Sequence, residues 1–202
     1  QVEVDAADPA FAKPTKFVGP VYEPTDVDAM ARTLGWRFAR DGDGYRRVVA
    51  SPQPRRIVEL DVIELLLNHQ VVVVCAGGGG IPVVASPEGA LRGVEAVIDK
   101  DASSAVLATT LGADTLLLLT DVKAVYEDWG TTHQRALREA SPAFLREMSL
   151  PDGSMGPKVA AACDFVEAGG RVAIIGQLAD AGRMLEGRAG TRVAAATTTR
   201  RW

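Results

Sequence analysis

The stretch VVVVCAGGGGIPVV, residues 71–84, runs four valines and a cysteine into four consecutive glycines and then an Ile-Pro pair. A short, continuously apolar run bounded by glycine has the pattern of a strand buried on both faces, as in a parallel sheet, so residues 71–76 are expected to form one. Four glycines in a row lose much backbone entropy on folding, which implies positive φ angles or a close approach that leaves no room for a Cβ. Spacing excludes two familiar phosphate cradles. A dinucleotide fingerprint needs glycine at its first, third and sixth positions, and the frame from Gly77 puts Pro82 in the sixth. A P-loop needs Gly-Lys-Ser or Gly-Lys-Thr, and the first lysine after these glycines is Lys100.

Outward from this loop, hydrophobic period and punctuation predict alternating elements. The opening QVEVDAADPAFAKPTKFVGPVYEP is proline-rich and reads as extended or looped. Helical patterns cover about 25–40 and IVELDVIELLLNH (57–69), with a DGDG turn and the strand YRRVVAS between them. After the glycines come strand-like VEAVI, a helix in ASSAVLATTLGA, the apolar strand TLLLLT, a helix over about 157–168, strand RVAII and a last helix in LADAGRMLEG. Helices alternating with short apolar strands define an α/β protein, a three-layer α/β/α sandwich with a mostly parallel central sheet. In such a sheet ligands sit beyond the carboxyl ends of the strands, where Gly77, Gly78, Gly79, Gly80 and the Thr120-Asp121 turn both fall. The expected divisions are a linking segment with a small protruding subdomain over 1–56, a nucleotide-binding α/β part over 57–194, and a disordered tail over 195–202.

Composition narrows the function classes. The 202 residues are 47% hydrophobic, enough for a sizeable core, and 22 Lys plus Arg against 26 Asp plus Glu give a net charge of −4. That balance leaves no electrostatic footprint for nucleic acid. No apolar stretch approaches the ~20 residues that cross a bilayer, so no membrane partner is expected. Cys75 and Cys163 lie far apart without Cys-x-x-Cys spacing, as in a reduced cytoplasmic protein. The chain begins at Gln1 rather than Met, which suggests that something upstream is absent.

Four clusters bear chemistry. Lys158 falls in the first turn of a helix that Gly156 and Pro157 open, where a cation opposes the helix dipole. An anion gathered at that helix end would account for it; a solvated surface lysine is the equal alternative. Asp99, Lys100 and Asp101 crowd three charges between an apolar strand and an apolar helix. Asp101 alone reads as an N-cap, while pairing with a second lysine and a phosphate would hold all three. Thr120 and Asp121 end a buried strand, and Val122, Val125 and Tyr126 follow as a possible wall for an adenine. Lys13 and Lys16 sit among prolines in AKPTKFVGP, a basic loop that is ordinarily just solvated. His69 and His133 have no partner base, nucleophile or metal ligand in view, and Ser103, Ser104 and Ser154 lack a nucleophile elbow.

Seven blocks, PTKFVGPVY, GYRRVVASPQPRRIVE, CAGGGGIPV, GVEAVIDKD, LLLTDVKAVYEDWG, GSMGPK and FVEAGGRVAIIG, resemble in order those of carbamate kinases, members of the amino-acid kinase fold. The resemblance spans nearly the whole chain. It implies reversible phosphoryl transfer between ATP and carbamate, giving ADP and carbamoyl phosphate, with Mg²⁺ on the nucleotide, no protein metal ligand, and a cytoplasmic homodimer. It implies catalytic roles for Lys16, Lys100, Asp101 and Lys158. Thr120, Asp121, Val122, Val125, Tyr126, Met155 and Gly156 would contact nucleotide, and Gly77 to Gly80 the substrate. Lys123 and Ala124 depart from the acidic or glycine residues expected after Thr-Asp-Val. The family also carries another glycine-rich loop in an N-terminal segment, and nothing in these 202 residues matches it. The sheet is therefore expected to be incomplete at its N-terminus. Rival readings are another kinase of this fold, acting on an amino-acid carboxylate, aspartate or nucleoside monophosphate, and an inactive fragment that binds nucleotide or only dimerises.

Overall fold

The computed structural model describes residues 1–150 and 155–202, and the chain divides into two units, Gln1–Lys100 and Asp101–Trp202. The first comprises β1 (Val2–Val4), α1 (Pro9–Ala12), β2 (Lys16–Tyr22), α2 (Pro24–Leu34), β3 (Arg37–Asp41), β4 (Gly44–Val49), β5 (Pro54–Ile57), α3 (Leu60–Asn68), β6 (Pro82–Ala85) and β7 (Leu91–Gly93). One sheet has the order β5-β1-β6-β7, in which β1 and β6 run parallel; a second is the antiparallel β2-β4-β3. The helix expected over 25–40 ends at Leu34 because Gly35 takes a left-handed φ of 67° and caps it, which frees the alternating Arg37–Asp41 to pair with β4.

The run that opens the sequence reading departs from expectation. Residues 71–76 form no strand; Val72 and Val74 are 90% and 93% exposed. An apolar run becomes a buried strand only where a neighbouring strand takes up its N–H and C=O groups, and no described strand pairs with this one. VEAVI makes only an isolated bridge from Ala96 to Ala50.

The second unit begins one residue into α4 (Lys100–Thr110), followed by β8 (Thr115–Thr120), β9 (Tyr126–Glu127), β10 (Arg135–Ala140), α5 (Pro142–Glu147), α6 (Met155–Glu167), β11 (Val172–Gln177), α7 (Ala181–Leu185), β12 (Thr191–Val193) and β13 (Arg200–Arg201). Its sheet has the order β13-β10-β12-β11-β8, with β9 on β10. The mostly parallel sheet expected is realised as a mixed one. β8–β11 and β10–β12 are parallel, whereas β12 returns antiparallel to β11. The period of two explains the layers. Leu116, Leu118, Ala173 and Ile175 face a core shared with Phe165, Cys163 and Leu145, while Leu117, Val172 and Ile174 face Met184 and Ala189 on the other side. Apolar residues on both faces thus take helices on both faces, an α/β/α arrangement. The tail expected to be disordered contributes β13, antiparallel to β10, and Trp202 donates its indole N–H to the Gly190 carbonyl at 3.2 Å. No described helix is long and apolar enough to cross a membrane.

Candidate active site

In the first unit the glycine loop closes on the chain itself. A Cβ at Gly79 would lie 1.8 Å from the Ile98 carbonyl oxygen, and one at Gly80, whose φ is 86°, would lie 2.4 Å from Val2 Cγ2. Gly78 faces open space, and Gly77 has a φ of 62° with its N–H on the Cys75 carbonyl. Two of the four glycines are therefore required by protein backbone and side chain rather than by a ligand. Ile98 is followed by Asp99, whose Oδ2 accepts from Lys16 Nζ at 3.2 Å across 83 residues of sequence. Lys16 is the first residue of β2 and partly exposed, so this pair stays in contact with solvent. Lys100, next along, is exposed at the start of α4.

In the second unit Lys158 is 4% exposed and Asp101 is 7% exposed, and both carboxylate oxygens of Asp101 accept from the lysine Nζ, at 3.0 and 2.9 Å. The surface reading of Lys158 is thereby excluded. Asp101 is not an N-cap either; it lies inside the first turn of α4 and faces α6. A buried ammonium needs a counter-charge, and a cation in the first turn of α6 needs compensation for the dipole; one bidentate carboxylate supplies both. Ser154 lies outside the described residues, whereas Met155 and Gly156 are the first two described residues of α6, Met155 packing against the core.

β8 delivers Thr120 to its carboxyl end, where the hydroxyl donates to Asp121 Oδ1 at 3.0 Å. Val122 and Tyr126 are partly buried. Val125 corrects the expectation of an adenine wall: it is 0% exposed and belongs to the core, with its N–H on Thr191 Oγ1 at 2.9 Å and its carbonyl accepting from Leu137. Ala124, buried beside it, is equally enclosed. Sequence reasoning missed Trp129, half-exposed with its ring 5.0 Å from that of Tyr126, although the spacing in YEDW was the signal for it. It also missed Thr191, fully buried and donating to the Leu137 carbonyl at 2.6 Å. The described residues contain no cluster of three or more metal-ligating side chains.

A buried lysine–carboxylate pair beside a helix N-terminus, together with a strand end bearing Thr-Asp, is suited to binding and neutralising phosphate oxygens. The model of the Amino acid kinase family matches residues 20–177, and the chain belongs to that family. Within it, the chain is similar to carbamate kinases: it is 52% identical to that of Rhizobium meliloti over 100% of its own length and 46% identical to that of Pyrococcus furiosus over 96%. Among solved structures, the carbamate kinase of Giardia lamblia bound to AMP-PNP superposes with a TM-score of 0.87 at 40% identity, covering 96% of this chain and 63% of that one. The chain spans 63% of the length of both curated relatives.

Proposed function

We propose that this protein serves carbamate kinase chemistry, the reversible transfer of a phosphoryl group between ATP and carbamate that yields ADP and carbamoyl phosphate. The observation that carries the proposal is the buried, bidentate Lys158–Asp101 pair. An ammonium already fixed in a water-poor position needs no reorganisation when charge builds on a transferring phosphoryl group, and such preorganised charge is the largest catalytic contribution in this class of reaction. Carbamate brings its own anionic oxygen, which attacks the γ-phosphorus as the bond to the β,γ-bridging oxygen breaks. No general base is required, which accords with the absence of a placed histidine.

In this reading Lys158 spans the phosphates, Asp101 orients it, Lys100 steadies the transferring group, and Lys16, held by Asp99, supplies further positive charge. Thr120, Asp121, Val122, Tyr126, Met155 and Gly156 contact the nucleotide, and Trp129 extends the Tyr126 surface. Gly77 to Gly80 line the carbamate side, the Gly77 N–H being held by the Cys75 carbonyl. ATP enters as its Mg²⁺ complex, the ion riding on phosphate oxygens. We place the protein in the cytoplasm as a homodimer; the two free cysteines accord with a reducing compartment.

One observation favours a second reading. The unladdered residues 71–76, exposed at Val72 and Val74, leave the approach to the glycines without a strand beneath it, and on this reading the 202 residues bind nucleotide or carbamoyl phosphate, or only dimerise, without turnover. The deciding experiment is ATP formation from ADP, carbamoyl phosphate and Mg²⁺, run beside an ADP-binding titration. Turnover that falls roughly 100- to 1000-fold in Lys158→Ala, with circular dichroism showing a folded protein, supports the first reading. ADP binding without turnover supports the second, and undiminished turnover in Lys158→Ala would end the proposed role of this lysine.

A further inference from the structure

Three arginines of the first unit line one cavity of about 400 Å³, and Glu95 is the only acidic residue in its wall. Arg47 on β4 lies over the Trp36 ring, its guanidinium carbon 4.1 Å from the centroid, and is ion-paired with Glu95. Arg37, at the start of β3, donates to the Ala12 carbonyl at 2.9 Å. The guanidinium of Arg92, on β7, has no hydrogen-bond or ion-pair partner among the described residues. Phe11 and Pro14 supply an apolar side. None of the residues proposed for phosphoryl transfer lines this cavity.

We propose that the cavity is a binding site for a small organic polyanion, one bearing two or more carboxylate or phosphate groups. Its volume falls in the range of ligand sites, about 300–1,000 Å³. Guanidinium forks match carboxylate and phosphate oxygens bidentately, which lysines do not. Two of the three forks are already oriented, one by the Trp36 face and one by a backbone carbonyl, so a ligand would find them in place. In a chain of net charge −4, three arginines against one glutamate make this a local reversal of sign. Glu95, whose side chain is 72% exposed, is the carboxylate that pairs with Arg47 and is readily displaced into solvent.

The test is calorimetric titration of the intact chain at low ionic strength with citrate and, separately, with pyrophosphate, on the native protein and on Arg92→Gln and Glu95→Gln. Saturable binding of at least one probe is expected. It should weaken about 10- to 100-fold in Arg92→Gln, which loses a charged donor, and strengthen in Glu95→Gln, which loses the competing carboxylate. It should also weaken as salt is raised. Preference for citrate assigns a carboxylate ligand and preference for pyrophosphate a phosphorylated one. No saturable binding of either probe, or binding that Arg92→Gln leaves unchanged, overturns the proposal.

Discussion

Neutralising Asp101 while keeping its shape, as in Asp101→Asn, should destabilise the second unit more than any surface change. The side chains of Lys158 and Asp101 are 4% and 10% exposed, and both aspartate oxygens are committed to the ammonium at 2.9 and 3.0 Å. The substitution therefore leaves a buried ammonium without its counter-charge, a loss of about 3–5 kcal/mol. At roughly 2–4 °C per kcal/mol for a protein of this size, the midpoint of thermal unfolding should fall by about 6–20 °C. Removing both charges together, as in Asp101→Leu with Lys158→Met, avoids the stranded charge and should return most of that stability, because a buried pair contributes little over an apolar replacement. Catalysis should not return with it if the lysine acts on phosphate. Thermal and urea unfolding followed by circular dichroism, with phosphoryl transfer on the same samples, separates the two effects. A drop below about 1 kcal/mol in Asp101→Asn, or a double variant as unstable as the single one, would refute the reasoning, since either result means that the pair is hydrated in solution.

Gly79→Ala should lower the unfolding midpoint markedly and Gly78→Ala should not, because a Cβ meets the Ile98 carbonyl oxygen at 1.8 Å in the first case and open space in the second; thermal unfolding of the two variants checks this. The Lys16–Asp99 pair is partly exposed, so a double-mutant cycle should return at most about 1 kcal/mol and lose it in high salt, whereas the coupling between Lys158 and Asp101 should be insensitive to salt. Burial pushes the Cys163 thiol up to about 11, so iodoacetamide at neutral pH should label Cys75 in the folded protein and leave Cys163 untouched until denaturant is added. Hydrogen bonds from Arg146 hold the Glu167 carboxyl below its ordinary value, and a lowered folded-state pKa adds stability that is complete above the ordinary carboxylate range and is lost as pH falls through the folded value. Arg146→Ala should accordingly flatten the acid side of a stability profile measured by urea unfolding, leaving the difference between neutral and alkaline pH unchanged.

The second unit was legible in the sequence because its strands are apolar on both faces. In TLLLLT and RVAII the apolar residues other than Leu119 had somewhere to pack, which fits the register of β8 against β11. VVVVC looked the same and is not a strand, since hydrophobic period states what a segment can bury and not whether a neighbour is there to bury it. The α2 overrun had a visible signal in Gly35, outweighed by the period continuing through Trp36 and Phe38. At the site, residue types were legible and partners were not. Lys158 broke the dipole rule and Asp101 sat at the head of an apolar helix, and one ion pair explains both anomalies, but 57 residues of sequence separate them. Val125 shows the opposite failure, because proximity in sequence to Asp121 and Tyr126 suggested a ligand wall where the chain turns inward.

The four glycines were read as a bare surface kept clear for a ligand, and the structure gives two of them an earlier purpose. Gly79 lets the Ile98 carbonyl seat against the loop, and the next residue is Asp99, which holds Lys16. A side chain at position 79 would push that carbonyl away and move the aspartate with it, so the loop's lack of bulk positions a charge before it meets any substrate. In the second unit Asp101 does the corresponding work for Lys158, two residues further along the same Asp-Lys-Asp run. Each aspartate thus has a lysine of its own, one pair wet and weak, the other dry and strong, and that difference in burial separates a cation free to shift from one fixed in place. Lys100 stands between the two aspartates and is exposed, at the first position of α4.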